Sequence, residues 1–333
     1  MDKKDTTSFD DMPPGSVSIE ELQQSAKGLL ENVAQVVLGK RDVARLCIIA
    51  LLADEHVLLE DVPGVGKTLM GRALSSSVDG SFSRIQFTPD LLPSDIIGSS
   101  IFNSQTSSFV FNEGPIFSNF VLADEINRAP PRTQSALLEA MSEAQASIDG
   151  VTHELAKPFM IIATQNPFEF EGTYVLPESQ LDRFLLRISM GYPDREFEAS
   201  ILESHRSGEP VDELQSCCDW RRVLEMQAAV KSVDIDDSIA KYMLDVVHAT
   251  RESPELSVGL ARAERWLGIV RSNRLRLSMD APMRFLTMQR IWLFQCLVIV
   301  FRCEMGSRVV NVRIPKPSWL RFSATLFFQL RGA

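Results

Sequence analysis

The pattern of apolar positions divides the first part of the chain into helices and short buried strands. Behind a capping box formed by Ser18 and Glu21, apolar residues recur at helical spacing in "SIEELQQSAKGLLENVAQVV" and again in "LGKRDVARLCIIALLAD", which predicts two helices. Continuous apolar runs of strand length then appear in "HVLLED", "NFVLADE" and "FMIIATQNP", each followed by polar residues and a further helical pattern. Strands that alternate with helices predict an α/β fold in which a parallel sheet is covered on both faces.

The same pattern suggests four segments along the chain. Residues 1–17 are polar and contain a Pro-Pro-Gly turn signal, so we expect a flexible tail. Residues 18–192 hold the alternation of strands and helices, and residues 193–259 show helical periodicity only, which predicts a core domain followed by a smaller helical domain. Residues 260–333 are atypical, because strongly apolar stretches lie beside clustered arginines without helix caps or a consistent amphipathic period.

Charge and hydropathy argue against two classes of partner. The chain of 333 residues has a net charge of -10, whereas non-specific binding to nucleic acid depends on clustered Lys and Arg. The N-terminal residues lack an apolar signal-peptide region, and the apolar run "IWLFQCLVIVF" at residues 291–301 is shorter than the roughly 20 residues of a membrane-spanning helix. We therefore expect neither a nucleic-acid partner nor membrane insertion.

The cysteines indicate a reducing compartment. Their number is odd, they lack the spacing of metal ligands, and two of them are adjacent and cannot easily bridge to each other. We therefore expect reduced thiols and a cytoplasmic protein. The five cysteines are Cys47, Cys217, Cys218, Cys296 and Cys303.

The segment "EDVPGVGKT" after the first predicted strand has the character of a phosphate-binding loop. Glycines between a strand and a helix let backbone N–H groups point at phosphate oxygens, and the helix N-terminus adds a favourable dipole. Lys67 would reach the β- and γ-phosphates, and the Thr68 hydroxyl would ligate Mg²⁺. Asp61 stands where the G-x-x-x-x-G-K-[ST] pattern has its first glycine, but at a strand end its side chain can point away from the phosphates. The predicted cofactor-binding residues are Asp61, Val62, Pro63, Gly64, Val65, Gly66, Lys67 and Thr68.

Polar residues at the ends of the two later strands predict the rest of the site. Asp124 would hold Mg²⁺ together with Thr68, and Glu125 would polarise the water that attacks the γ-phosphate. Asn166 would orient the same water from the end of a neighbouring strand. Because ligands of open α/β sheets bind at the carboxyl ends of the strands, we expect these residues to converge. The alternative, a Gly-Lys-Thr turn that arises by chance, explains none of them.

Arg183, in "LPESQLDRFLLRI", lies near the predicted boundary with the helical domain. There it could reach the γ-phosphate bound by a neighbouring subunit, as an arginine finger does. Its alternative role is a surface ion pair with Asp182 or Glu178.

These motifs together resemble the AAA+ ATPases and, within them, the MoxR family. The resemblance covers about residues 18–259 and implies a P-loop αβα sandwich with a parallel sheet followed by a smaller helical lid. It also implies ATP and Mg²⁺ as cofactors, a hexameric ring, and a chaperone-like role in maturing client proteins, among them proteins with a von Willebrand factor A domain. The segment "QFTPDLLPSDIIGSSIFNSQTSSFVFNEGPIF" resembles the family's inserted hairpin, which faces the pore or the client; an ordinary surface hairpin is the alternative. The other matching stretches are "LLEDVPGVGKT", "GPIFSNFVLADEINRAPPRTQSALLEAM", "ATQNPFEFEGTYVLPESQLDRF" and "VVLGKRDV".

The resemblance stops near residue 260. The family's lid carries a Ser-Pro-Arg motif whose arginine contacts the γ-phosphate, and here only Arg262 is a weak candidate for that arginine. A reading frame shifted by two nucleotides from Leu260 can spell "SPRGTLA" and a lid-like continuation, so we favour a frameshift in residues 260–333 over a diverged lid.

Three functions are compatible with these observations. The leading hypothesis is a Mg²⁺-dependent ATPase that remodels client proteins, and Glu125 together with Asn166 favours hydrolysis. A nucleotide-binding switch or adaptor with little turnover is favoured only by the missing lid arginine. A nucleic-acid-associated AAA+ motor is disfavoured by the acidic charge balance.

Overall fold

The computed structural model describes residues 18–61, 64–166, 173–192, 195–198 and 209–233, together with residues 241, 244, 245, 247, 248 and 252. The helices are α1 (Ile19–Val36), α2 (Arg41–Leu52), α3 (Lys67–Ser77), α4 (Pro93–Ile97), α5 (Pro131–Glu143), α6 (Glu178–Leu181) and α7 (Trp220–Lys231). The strands are β1 (Val57–Glu60), β2 (Phe82–Gln86), β3 (Gly98–Asn103), β4 (Ser108–Glu113), β5 (Phe120–Asp124), β6 (Gln145–Ile148), β7 (Val151–Glu154), β8 (Met160–Gln165) and β9 (Leu186–Ile188). Single 3₁₀ turns lie at Pro115–Phe117, Ile126–Arg128 and Pro210–Glu213.

The two helices predicted at the start of the chain are α1 and α2. The Ser18 side chain accepts a hydrogen bond from the Glu21 backbone N–H at 3.2 Å, and the Glu21 carboxylate accepts one from the Ser18 N–H at 3.4 Å. The predicted capping box is therefore present, and it pairs two N–H groups that the first turn of a helix otherwise leaves without partners.

Five strands form the central sheet in the order β2-β5-β8-β1-β9, and each neighbouring pair is parallel. The three predicted strands β1, β5 and β8 occupy its middle. Side chains of successive residues point to opposite faces of a strand, and the core is split accordingly. Val57 and Leu59 belong to the apolar cluster that also contains α1, α2 and α3, whereas Leu58 belongs to the cluster under α4 and α5. The predicted α/β sandwich with a parallel sheet is confirmed.

Two β-hairpins project from this sandwich. β3 and β4 pair antiparallel from Gly98↔Glu113 to Asn103↔Ser108, which confirms the predicted hairpin in this segment. β6 and β7 form a second hairpin, which the apolar pattern does not reveal because it contains few apolar residues. The two hairpins touch where the Phe111 ring stacks on the His153 ring, with centroids 4.2 Å apart.

After residue 193, the described structure is helical where it forms regular elements. Val223, Met226 and Val230 of α7 lie in the same apolar cluster as α1 and α2, and the Gln227 side chain donates a hydrogen bond to the Leu51 carbonyl at 2.7 Å. This helix therefore shares a core with the sandwich, and a separate domain beginning at residue 193 stays a prediction. The predicted tail at 1–17 and the atypical segment 260–333, with Arg262, lie outside the described residues. Within the part of the chain that the structure describes, no helix has both the length and the apolar character of a membrane span.

Candidate functional site

The carboxyl ends of β1, β5 and β8 bring the predicted polar residues to one edge of the sheet. Asp61 directly follows β1, Asp124 is the last residue of β5, and Asn166 directly follows β8. β8 lies between the other two strands, and the Asp61 N–H continues its ladder with a hydrogen bond to the Gln165 carbonyl at 3.1 Å. The expected convergence of these residues is present, because parallel strands end at the same edge.

The phosphate loop follows β1 and opens α3. Gly64 and Gly66 have φ angles of +85° and +92°, and Gly66 is the N-cap of α3. Side chains rarely adopt this left-handed backbone, so glycine at both positions gives the loop its turn while leaving its backbone open to a ligand. Thr68 lies in the first turn of α3, and Val62 and Pro63 lie outside the described residues.

Lys67 folds back over this loop. Its side chain is largely buried, and the ammonium group donates a hydrogen bond to the Asp61 carbonyl at 2.7 Å. Burying an ammonium group costs free energy unless acceptors surround it. The same loop also places the N-terminus of α3 next to this charge. The positive charge and the dipole both favour an anion, so the residues present fit a phosphate group.

Asp61 departs from the usual glycine, and its side chain turns away from the loop. The carboxylate accepts hydrogen bonds from the Ser189 hydroxyl at 3.0 Å and from the Gly191 N–H at 2.5 Å. Asp61 therefore contributes its backbone carbonyl to Lys67 and its side chain to the segment after β9. The aspartate ties the phosphate loop to the chain that leads toward residue 193.

Asp124 is held between two strands. The Thr164 hydroxyl of β8 donates to one carboxylate oxygen at 2.6 Å, and Arg84 of β2 donates to the other through Nη2 at 2.6 Å and Nε at 3.2 Å. A carboxylate at the carboxyl end of one strand and a threonine in the first turn of the helix after another strand are donor types that Mg²⁺ takes beside a nucleotide. Asp124 and Thr68 therefore fit the predicted metal site.

Glu125 has a backbone conformation that is rare for residues other than glycine. Its φ angle is +58°, and its N–H donates to the Thr164 hydroxyl at 2.9 Å. Such conformations cost energy and cluster at functional sites. The Glu125 carboxylate accepts hydrogen bonds from Gln86 and from Arg128, both at 2.8 Å. It is thus oriented by its own chain rather than left to rotate in solvent.

Asn166 is buried at the same edge. Its backbone carbonyl accepts a long hydrogen bond of 3.4 Å from the Asn127 side chain, which ties the end of β8 to the turn after Glu125. The position agrees with the expected role of orienting water, and that role stays a prediction.

Arg183 lies at the opposite edge of the sheet. In the β1–β9 register Val57 faces Leu186, so Arg183 comes before the amino end of β9, while the phosphate loop follows the carboxyl end of β1. The guanidinium donates hydrogen bonds to the Leu138 carbonyl and the Ser142 hydroxyl of α5. The structure therefore does not bring Arg183 to the phosphate loop of its own chain.

A cavity of about 490 Å³ lies beside the loop between α1 and α2. Met190 and Phe197 also line it. Met190 connects the cavity to the phosphate loop, because its terminal methyl lies 3.9 Å from where a Cβ on Gly66 would stand. A volume of this size suits the base and sugar of a nucleotide whose phosphates rest on the loop.

Two residues of β2 that hold the acidic pair are not among those predicted from the sequence. Arg84 and Gln86 contact Asp124 and Glu125 because β2 pairs with β5, with Gln86 directly beside Asp124 in the register. β2 is an edge strand with little buried apolar surface, so its apolar pattern is weak. The order of strands in a sheet is not written in any local pattern, so no signal pointed to this pair.

Comparison with known proteins decides the family. The pattern of the ATPase family associated with various cellular activities (AAA) matches residues 56–186. The chain is 40% identical over 280 residues to the Chaperone MoxR1 of Mycobacterium tuberculosis, a match that covers 84% of this chain and 73% of that protein. The chain belongs to the MoxR family of AAA+ ATPases.

Two further relatives support the assignment of this MoxR-family ATPase. The chain is 50% identical over 242 residues to the protein YeaC of Bacillus subtilis, covering 73% of this chain and 76% of YeaC. A crystal structure from Cytophaga hutchinsonii, of a protein assigned as an ATPase, superposes with a TM-score of 0.71 at 37% identity, covering 77% of this chain and 81% of that one. The predicted family, the nucleotide-binding fold and the ATPase activity are confirmed at this level.

Proposed function

We propose that this MoxR-family ATPase hydrolyses ATP in a Mg²⁺-dependent reaction and uses the energy to remodel or mature client proteins. The observation that carries the proposal is the convergence of Lys67, Asp124, Glu125 and Asn166 at the carboxyl edge of the sheet. Such convergence is what phosphoryl-transfer sites require, since their catalysis depends on positioning and charge stabilisation.

Each residue has a role in this proposal. Lys67 and the N–H groups of the phosphate loop bind the phosphates, while Thr68 and Asp124 would hold Mg²⁺. When bound, Mg²⁺ neutralises charge on the β- and γ-phosphates. Glu125 accepts a proton from the attacking water, and Asn166 orients that water. The contacts of Glu125 with Gln86 and Arg128 would set where its carboxylate can stand.

The position of Arg183 supports an assembly with sites between subunits. At the edge of the sheet remote from its own phosphate loop, Arg183 could serve only a neighbouring copy. A head-to-tail arrangement in which every copy both gives and receives this arginine forms a ring when the rotation between copies closes. We propose the hexameric ring that the family resemblance implies.

The β3–β4 hairpin is the proposed client-binding element. Phe109 is 73% exposed and Phe102 is 55% exposed, and the two rings face each other across the hairpin at 5.4 Å between centroids. Exposed apolar residues on a projecting element mark an interaction site. The relative MoxR1 is a chaperone by name, which supports a client protein, such as one with a von Willebrand factor A domain, as the partner. We propose that the protein acts in the cytoplasm.

Phosphate release from ATP tests the catalytic half of the proposal. The wild-type chain should release phosphate with Mg²⁺ and stop when a chelator removes the metal. Glu125→Gln should keep nucleotide binding and lose turnover, whereas Glu139→Gln, an exposed glutamate on α5, should behave as wild type. Full turnover in Glu125→Gln would remove the glutamate from its assigned role and leave a different base to be found.

Suppression of aggregation tests the proposed binding of client proteins by the β3–β4 hairpin. With chemically unfolded luciferase as the probe, wild type with ATP should reduce light scattering. The double variant Phe102→Ser and Phe109→Ser should lose this effect while keeping its ATPase rate, and Val151→Ser, an exposed apolar change on the other hairpin, should not. Equal protection by the hairpin variant would rule the hairpin out as the binding element.

A further inference from the structure

The hydroxyl of Thr164 lies between the two acidic residues that are proposed to hold Mg²⁺ and to activate water. Thr164 belongs to β8, the strand beside β5, and it is fully buried. Its hydroxyl donates a hydrogen bond to Asp124 Oδ1 at 2.6 Å and accepts one from the Glu125 backbone N–H at 2.9 Å. One side chain thus contacts both members of the acidic pair.

The sheet register places this hydroxyl beside the acidic pair. β5 and β8 pair in parallel, and Asp124 and Thr164 follow the last pair of that register at the carboxyl ends of the two strands. Side chains alternate between the faces of a strand, and the residues two positions earlier, Leu122 and Ile162, both belong to the apolar cluster that contains α3. The side chains of Asp124 and Thr164 therefore point to the face that carries α3, the helix that opens at the phosphate loop.

The two hydrogen bonds of the hydroxyl support each other. A hydroxyl carries one proton, and here that proton goes to the Asp124 carboxylate, so the oxygen is left to accept from the Glu125 N–H. Accepting that N–H polarises the hydroxyl and makes it a better donor, and a hydrogen bond to a carboxylate is among the stronger ones. The positions of the Asp124 carboxylate and of the Glu125 backbone are therefore linked through one oxygen atom.

The backbone conformation of Glu125 depends on such a link. Its φ and ψ angles are +58° and +48°, a left-handed conformation that costs free energy for a residue with a side chain and persists only where surrounding contacts enforce it. Gln86 and Arg128 hold the Glu125 carboxylate, whereas Thr164 holds its main chain. Without the hydroxyl, the Glu125 N–H loses this acceptor and the turn can relax, which displaces the carboxylate.

We propose that Thr164 is a positioning residue for ATP hydrolysis, which fixes the Asp124 carboxylate and the Glu125 carboxylate relative to each other. This inference rests on the proposed function of the same edge of the sheet, and Thr164 acts in it through the two acidic residues. Misplacing a catalytic group by about 1 Å can cost about a hundredfold in rate, and phosphoryl transfer depends mainly on positioning. The hydroxyl should therefore affect turnover and leave nucleotide binding intact.

Steady-state ATP hydrolysis by the full chain tests this role with variants of similar shape. Thr164→Val replaces the hydroxyl with a methyl, so kcat should fall at least about tenfold, while the affinity for a fluorescent ATP analogue stays within about threefold because the phosphate loop is unchanged. Thr164→Ala removes the hydroxyl without placing a second methyl beside Asp124 and should lose kcat in the same way. Thr164→Ser keeps the hydroxyl and should retain at least about half of kcat.

Thr133→Val is the matched control for a loss of structure. Thr133 is also buried, and its hydroxyl donates to the Leu91 carbonyl at 2.7 Å, so the same chemical change removes a buried hydrogen bond elsewhere in the chain. Denaturant titration should show similar losses of stability in Thr133→Val and Thr164→Val, while Thr133→Val keeps kcat within about twofold of wild type. A loss of kcat confined to position 164 is then an effect of positioning and not of stability.

Three results would overturn the role of Thr164. They are full kcat in Thr164→Val or Thr164→Ala, a loss in Thr164→Ser as large as that in Thr164→Val, and an equal loss of kcat in Thr133→Val at equal stability. Glu125→Gln in the same assay keeps this inference apart from the proposed function. An inactive Glu125→Gln beside a fully active Thr164→Val refutes only the role of Thr164, whereas a fully active Glu125→Gln removes the base on which both proposals depend.

Discussion

At the carboxyl edge of the sheet the charged residues are arranged around a loop that can take a ligand, whereas at the amino edge Arg183 is bound to its own scaffold. Asp124 ends the buried strand β5, Glu125 follows it, and both are held by side chains from β2 and β8. Arg183 lies on the other side of the same strands and donates to α5. The sheet thus separates the proposed catalytic carboxylates from the arginine that is proposed to act with them.

The separation has a geometrical cause. A four-residue parallel strand such as β1 spans about 13 Å, so residues before and after it cannot meet around one phosphate. Arg84 and Arg128, two described arginines that reach the carboxyl edge, form ion pairs with Asp124 and Glu125. Under the proposed function, Arg183 and the acidic pair could therefore meet only between two copies of the chain.

Replacing Lys67 should have the largest effect at the carboxyl edge. Lys67→Ala removes the ammonium that folds over the phosphate loop, and we expect ATP affinity to fall by at least about a hundredfold, roughly 3 kcal/mol, with loss of turnover. Lys27→Ala, which alters an exposed lysine of α1, is the matched control. Titration with a fluorescent ATP analogue measures both, and equal affinities of the two variants would refute the assignment of the loop.

Replacing Arg183 should lower turnover while leaving nucleotide binding intact. An arginine finger contributes about 10³-fold or more to the rate, so Arg183→Ala should lose activity on that scale. Ser142→Ala removes one hydrogen-bond partner of the same guanidinium and should stay nearly as active as wild type, which separates catalysis from anchoring.

Mixed rings show whether this arginine acts across an interface. An Arg183→Ala subunit keeps its own Glu125, and a Glu125→Gln neighbour can supply an intact arginine. Mixing the two inactive variants should therefore restore part of the phosphate release. If assembled mixtures stay as inactive as their components, the two edges do not meet in trans.

The central strands of the sheet and the residues at their ends were predicted from the sequence better than the side chains that contact them. β1, β5 and β8 are buried on both faces, so their continuous apolar runs are strong signals, and the residues that follow them necessarily share an edge. The partners Arg84 and Gln86 could not be predicted, because they depend on β2 lying next to β5. The direction of the Asp61 side chain could not be predicted either, because its partners Ser189 and Gly191 follow the short strand β9, whose place beside β1 depends on the order of the strands.

The C-terminal segment shows a different limit of pattern reading. A shifted reading frame in residues 260–333 stays a prediction, because those residues lie outside the described structure. The coding DNA around codon 260 decides it: without a Ser-Pro-Arg segment and an uninterrupted lid in the alternative frame, a diverged lid must be accepted.

Removing Arg84 should change the Mg²⁺ dependence of ATP hydrolysis and leave the rate at saturating Mg²⁺ unchanged. Its guanidinium pairs with Asp124 at 2.6 Å, so it competes with a cation for the same carboxylate. In Arg84→Ala the Mg²⁺ concentration for half-maximal hydrolysis should fall roughly threefold, and more at low salt than at high salt, because the arginine is half exposed and screened. Arg84→Lys keeps a positive charge, so its Mg²⁺ concentration for half-maximal hydrolysis should lie between those of wild type and Arg84→Ala. An unchanged Mg²⁺ midpoint would show that Asp124 is not a metal ligand.

The smallest effect on nucleotide binding is expected where the chain departs from the usual phosphate-loop pattern. Asp61→Gly restores the common glycine but removes the hydrogen bonds from Ser189 and Gly191. The hydrogen bond from Lys67 goes to the backbone carbonyl of residue 61, which Asp61→Gly retains, so ATP affinity should change by less than about threefold. The free energy of unfolding should fall by about 2 kcal/mol, because the two donors lose a charged and largely buried acceptor. Asp61→Asn keeps an oxygen acceptor and should lose only about half as much stability. Denaturant titration and ATP binding on the same samples separate the two properties; a large loss of affinity in Asp61→Gly with unchanged stability would mean that this carboxylate faces the nucleotide after all.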